Sequence, residues 1–253
     1  ILEGFCLEYY GAAPAVPPEV IVPPDIEETD VLAGFLSEVR GAAVVVRAPQ
    51  RGEKRRLAEL AAENAQVALE HEASAAEQKR TRRLAALEQL REALNLESLP
   101  TRIECFDVSN IQGREIVASM AVFLDAQPKR AHYRTFAMRR VDGQDDFAAI
   151  AEAVGRRFAR LRDAGDPARH DESFASRPNL VVIDGGKGQL GAALEAIRGV
   201  AELPRLAVIA LAKREEEVFV PDRAGPIRLD RHDPGLQLLQ RIRDEAHRTA
   251  VGF

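Results

Sequence analysis

A chain of 253 residues, 46% hydrophobic and 30% charged, holds one large domain or a domain plus a smaller lobe. Its formal net charge of -5 confines any nucleic-acid surface to local basic patches. Two cysteines without paired spacing, Cys6 and Cys105, exclude a disulfide scaffold or cysteine-built zinc site, and the lack of a signal peptide or of a run near ~18 apolar residues points to a cytoplasmic protein off the membrane.

In chain order, Pro14, Pro17, Pro18, Pro23 and Pro24 flank a short edge strand at Glu19-Val20-Ile21-Val22. Residues 30–39 read as a helix and Ala43-Val44-Val45-Val46 as a strand. From Glu53 to about Leu96 there is no proline and much Ala, Leu, Glu and Arg, which predicts a long helix with a break near Ala73-Ser74. Residues 1–75 are therefore expected to form a small β-α-β-α lobe and linker, and residues 76–253 a larger domain.

After Pro100, residues 102–109, 116–125 and 131–138 predict three strands. Gln112-Gly113-Arg114 and Ala126-Gln127-Pro128 supply the turns. Phe147, Ile150, Ala151, Val154, Phe158 and Leu161 mark one face of a helix. Then come a strand at 180–183, a helix at 189–198, a strand at 206–211 and a hairpin with arms at 217–220 and 227–229. A last helix begins after Pro234. This order fits an α/β fold, a ribonuclease-H-like mixed sheet flanked by helices.

Two apolar runs end in aspartate, Ile-Glu-Cys-Phe-Asp at Asp107 and Leu-Val-Val-Ile-Asp at Asp184. Alone, each is explained as well by an Asx turn. Together, on two central strands, they could meet at one end of the sheet. Like charges held close need a proton or a cation between them, and Mg²⁺ or Mn²⁺ suits oxygen ligands. On the last helix His247 shares a polar stripe with Gln240 and Arg243, opposite Leu239, Ile242, Ala246 and Ala250. Its imidazole could bind a metal or move a proton. The other histidines, His71, His132, His170 and His232, read as surface residues.

Gly185-Gly186-Lys187-Gly188 opens a helix without Walker A spacing, and beside a metal carboxylate it would make a phosphate cradle with Lys187 as a point charge. Asp145 and Asp146 precede the Phe147 helix and would cap it, or one could serve the metal. Basic clusters on the long helix around Arg51–Arg56 and Lys79–Arg83 read as solvated faces. Lys213, Arg214, Arg241 and Arg243 are better placed to touch phosphates.

Several stretches resemble the UvrC family, the endonuclease subunit of the bacterial UvrABC nucleotide excision repair system. They are Ile103-Glu-Cys-Phe-Asp-Val-Ser109, Val117-Ala-Ser119, Leu180 to Leu190, Leu211-Ala-Lys-Arg-Glu-Glu216 and Arg241-Ile-Arg-Asp-Glu-Ala-His-Arg248. Pro49 to Lys54 and Asn64-Ala65 resemble the family's segment before its nuclease domain. The resemblance implies a ribonuclease-H-like nuclease that incises 5′ to a lesion in double-stranded DNA, with UvrB as partner and UvrA acting upstream. It implies an Asp-Asp-His triad at Asp107, Asp184 and His247, and a further aspartate at Asp146. Asn110 stands where the family usually has His. Thr249 stands where it usually has Phe, which implies a looser last helix. A fragment of a longer chain is expected, without the family's second nuclease domain or its helix-hairpin-helix pair.

Overall fold

The computed structural model describes residues 2–24, 26, 28–111, 115–138, 145–165, 171–200 and 206–251. The chain divides into two compact units, Ile1–Gln78 and Lys79–Phe253, and the boundary falls inside one helix.

In the first unit, strand β1 (Glu19–Ile21) pairs parallel with β2 (Val45–Arg47). Helix α2 (Thr29–Arg40) connects them and buries Leu32 and Leu36. It stops at Gly41, whose left-handed φ of 71° lets its amide turn back to the Glu38 carbonyl. A helix not expected from the sequence, α1 (Leu2–Ala12), precedes them. Gly4, Gly11 and exposed Phe5 and Tyr9 blur its apolar stripe. Helix α3 (Glu53–Ala93) runs through Ala73-Ser74 without the expected break, because no Gly or Pro interrupts its 41 residues.

The second unit is built on one mixed sheet, in the order β5-β4-β3-β7-β8-β9, with β6 also on β4. Its strands are β3 (Arg102–Ile111), β4 (Glu115–Leu124), β5 (Gln127–Pro128), β6 (Arg134–Ala137), β7 (Leu180–Asp184), β8 (Ala207–Ala212) and β9 (Glu217–Phe219). The expected strand at 131–138 is shorter, because Arg130–His132 forms a 3₁₀ turn. The second hairpin arm reduces to one bridge between Val218 and Ile227.

Every residue of β7 is buried, as a parallel strand covered on both faces requires. One face packs on Leu236, Leu239, Ile242 and Ala246 of α7 (Pro234–Val251) and on Leu87 and Leu90 of α3. The other packs on Ile150, Val154 and Phe158 of α4 (Asp146–Arg162) and on Leu190 and Ile197 of α6 (Lys187–Val200). A short helix, α5 (Glu172–Ala175), precedes β7. Phe147, expected on the buried face of α4, is exposed, since it lies in the first turn beside Gly188 rather than over the sheet. The predicted turn at 112–114 and His170 lie outside the described residues.

Candidate metal centre

Strand register makes Asp107 and Asp184 neighbours. β3 and β7 run parallel with Cys105 opposite Val182 and Phe106 opposite Ile183, so the next step sets the two aspartates side by side. Alternation turns Asp107 to the face of Ile103 and Cys105, which is the face that α7 covers. Both carboxylates are buried, at 4% and 6% exposure.

Helix α7 brings the third group. His247 Nδ1 lies 2.9 Å from Asp107 Oδ2, which also accepts from Ser109 Oγ at 3.2 Å. The height of the helix is fixed from the sheet: Ser119 stands opposite Asp107 on β4, and its hydroxyl donates to the Ala246 carbonyl at 2.6 Å. One potential ligand atom from each of Asp107, Asp184 and His247 lies within 4.8 Å of the others. Among the described residues no other group of His, Cys, Asp and Glu does this.

The charges are unbalanced. Burial, and then the charge of Asp107, push the Asp184 carboxyl up to about 6, against the pull of Lys213. Lys213 Nζ forms an ion pair at 3.1 Å with Asp184 Oδ2, a buried oxygen that makes no other hydrogen bond among the described residues. Cys105 is fully buried, and burial followed by the Asp184 and Asp107 charges push its thiol well up. It packs in the core, where burial favours the neutral thiol.

The family model of the UvrC RNase H endonuclease domain matches residues 91–251, and that of the UvrC ribonuclease H-like domain matches residues 1–72. The chain belongs to the UvrC family. The UvrABC system protein C of Acaryochloris marina is 41% identical over all of this chain and 40% of its own length. Those of Symbiobacterium thermophilum and Mycobacterium tuberculosis H37Rv are each 43% identical over all of this chain, and over 43% and 42% of their own lengths. The chain thus spans about two fifths of the curated relatives it matches. A crystal structure of human ENDOV overlaps 70% of this chain and 99% of its own at 12% identity and a TM-score of 0.32, too loose to inform the site. The mixed sheet with flanking helices is the ribonuclease-H-like fold expected of a UvrC endonuclease domain.

The other residues singled out in this UvrC chain fall in different settings. Asp146 is the exposed first residue of α4 and is not in the cluster of three, while Asp145 caps that helix by accepting from the Ala148 amide at 3.0 Å. Lys187 and Arg214 are exposed. The glycine turn is less open to an anion than expected. The Gly186 amide donates to Gln189 Oε1 at 2.9 Å and the Gly185 amide to the Leu211 carbonyl at 3.1 Å. Arg243, expected to touch phosphates from the surface, is buried. It is 9% exposed, and its guanidinium grips Glu216 through two bonds of 2.7 and 3.2 Å.

His132 is also buried, not a surface residue, and it belongs to a charge cluster that sequence reasoning missed. Glu104, fully buried on the opposite face of β3 from Asp107, accepts two bonds from Arg157 at 2.8 Å each and one from Arg102 at 2.9 Å. Arg102 also meets His132 Nδ1 at 3.1 Å, and the two arginines donate to the carbonyls of Ser173, Phe174 and Ser176. Burial, and then the Arg102 charge, hold the His132 pKa down. The signal was available: a glutamate in the middle of a strand flanked by apolar strands needs buried partners.

Proposed function

We propose that this chain hydrolyses a DNA phosphodiester with the aid of a divalent cation, Mg²⁺ or Mn²⁺, and makes the 5′ incision beside a lesion during nucleotide excision repair. The observation that carries this reading is the convergence of Asp107, Asp184 and His247 where the parallel pairing of β3 with β7 stops, with Asp107 inside β3 and Asp184 the last residue of β7. The donor set fits such an ion, because carboxylates suit hard cations and an imidazole is a common companion. The buried Asp184 Oδ2, which makes no hydrogen bond beyond its ion pair with Lys213 among the described residues, is an acceptor that a cation would satisfy.

Asp107, Asp184 and His247 would hold the ion. When bound, it supplies Lewis acidity to a phosphodiester oxygen and makes water a better nucleophile. An ionised Asp107 can only accept across the 2.9 Å contact, so His247 Nδ1–H would donate, and in a neutral imidazole Nε2 would keep its lone pair. Nε2 would then be available to complete the ligand set or to take a proton from water. The imidazole is 51% exposed, so substrate can reach it.

Double-stranded DNA carrying a lesion is the proposed substrate. UvrB, with UvrA acting upstream, is the proposed partner through other parts of a full-length protein, and the cytoplasm is the proposed compartment. No helix among the described residues is long and apolar enough to cross a membrane. Exposed cations would hold the phosphate backbone, Lys187 and Arg214 among them. Arg82, Arg83 and Arg241 line a cleft of about 270 Å³ between α3 and α7, and none of the three is ion-paired among the described residues. Such contacts bind without regard to sequence and weaken with salt.

The test is incubation of the protein with a pre-nicked, lesion-bearing duplex and Mn²⁺ or Mg²⁺, beside Asp107→Ala and His247→Ala. Metal-dependent incision that disappears in both variants supports the reading. Incision by Asp107→Ala at the wild-type rate overturns it, and DNA binding without any incision favours a silent DNA-binding module.

A further inference from the structure

Resting on the metal-site reading, we infer that Lys213 is a built-in counter-ion: it holds Asp184 while the divalent cation is away, yields when the cation arrives, and is then free to meet a phosphate of the bound strand. Lys213 thereby sets the metal affinity of the site and links metal binding to DNA binding.

Three observations lead to this. Lys213 is the one Lys or Arg paired with either site carboxylate among the described residues. Its side chain is 57% exposed, while that of Asp184 is 3% exposed, so the ammonium caps a buried carboxylate from the solvent side. A single ammonium at 3.1 Å is the one cation on Asp184 Oδ2 among the described residues, so a doubly charged ion competes well for that oxygen.

The position of Lys213 is itself constructed. It lies in the turn between β8 and β9, which ends at Glu216 with a φ of 54°, a left-handed conformation that a non-glycine residue rarely adopts. Arg243 offsets that cost by holding the Glu216 carboxylate with two charge-assisted bonds. Arg243 lies one helical turn before His247, so α7 sets His247 against Asp107 and ties down the turn that sets Lys213 against Asp184. Arg243 is a positioning residue in this account.

The test is calorimetric titration of Mn²⁺ into the whole protein, comparing wild type with Lys213→Met, Lys213→Arg, Arg214→Met and Asp184→Ala. Removing the counter-ion should tighten Mn²⁺ binding roughly tenfold, the scale of one adjacent opposite charge. Lys213→Arg should stay near wild type, and Arg214→Met should change affinity far less than Lys213→Met. A merely structural role predicts weaker binding, so the sign separates the two. Affinity that is unchanged or weaker in Lys213→Met overturns the counter-ion role while leaving the metal site standing. Wild type and Asp184→Ala binding Mn²⁺ alike would remove the metal site itself, and the counter-ion role with it.

Discussion

His247 Nδ1 lies 2.9 Å from Asp107 Oδ2 across 140 residues of sequence. The contact exists because Ser119, the cross-strand neighbour of Asp107, holds the carbonyl of Ala246 one residue before the histidine. Ser119→Ala should therefore act twice. It removes a buried hydrogen bond to a helix carbonyl that keeps its partner within the helix, at about 0.5–1.5 kcal/mol. It also loosens the hold on His247, so incision should slow while duplex affinity stays unchanged. Urea unfolding, incision rates and duplex binding measured on the same variant check this. A stability loss with no change in rate would show that α7 keeps its place without Ser119.

The Asp184 carboxyl, at about 6, holds its proton more tightly in the fold than at its ordinary value of 3.8, first through burial and then through Asp107. Without a divalent cation, its contribution to stability is present below about pH 3.8 and is lost as pH rises through about 6. Protons and metal compete for the same oxygens, so Mn²⁺ affinity should rise from about pH 5 to about pH 7. Asp184→Asn should flatten the stability trend and bind Mn²⁺ poorly throughout. Wild-type affinity that does not vary over that range would contradict the assignment.

Arg157→Met should destabilise the second unit by about 3–5 kcal/mol, because it takes the two-bond partner from a fully buried Glu104. The lower end is expected, since Arg102 Nε remains 2.9 Å from the same carboxylate. Glu104 faces the other side of the sheet from Asp107, so the folded variant should keep its Mn²⁺ affinity. Denaturant unfolding paired with calorimetry separates the two effects.

Replacing Arg82, Arg83 and Arg241 together with alanine should weaken duplex binding. The slope of log affinity against log salt should become shallower by up to ~0.9 for each phosphate no longer neutralised. Metal affinity should not move. Fluorescence anisotropy with a labelled duplex over a salt series reads this directly. An unchanged slope would show that the backbone crosses another face.

Much of the site was legible in the sequence. A run of apolar residues ending in a carboxylate describes a buried strand that delivers charge to its end, and Asp184 follows that pattern, whereas β3 runs on past Asp107 to Ile111 and the two meet because the β3–β7 pairing stops beside them. The buried face of α7 followed from helical spacing, with Leu239, Ile242, Ala246 and Ala250 all inside. What escaped was charge buried by tertiary partners. Arg243, Arg157 and His132 look like surface residues in any local window, because their counter-charges or carbonyls lie on other elements. The unbroken α3 escaped for the opposite reason: Ala73-Ser74 is a weak breaker inside a long run of strong helix formers. Helix α7 continues past Thr249, whose hydroxyl donates back to the Glu245 carbonyl at 2.7 Å.

The central claim is that Asp107, Asp184 and His247 hold a divalent cation. The most direct measurement is anomalous diffraction from crystals soaked in Mn²⁺, with Asp107→Ala crystals treated alike. The account predicts one or more Mn²⁺ peaks within roughly 2.0–2.6 Å of the carboxylate oxygens in the wild type, and none at that place in the variant. A wild-type site without a peak, in crystals whose protein still incises DNA with Mn²⁺, would contradict it.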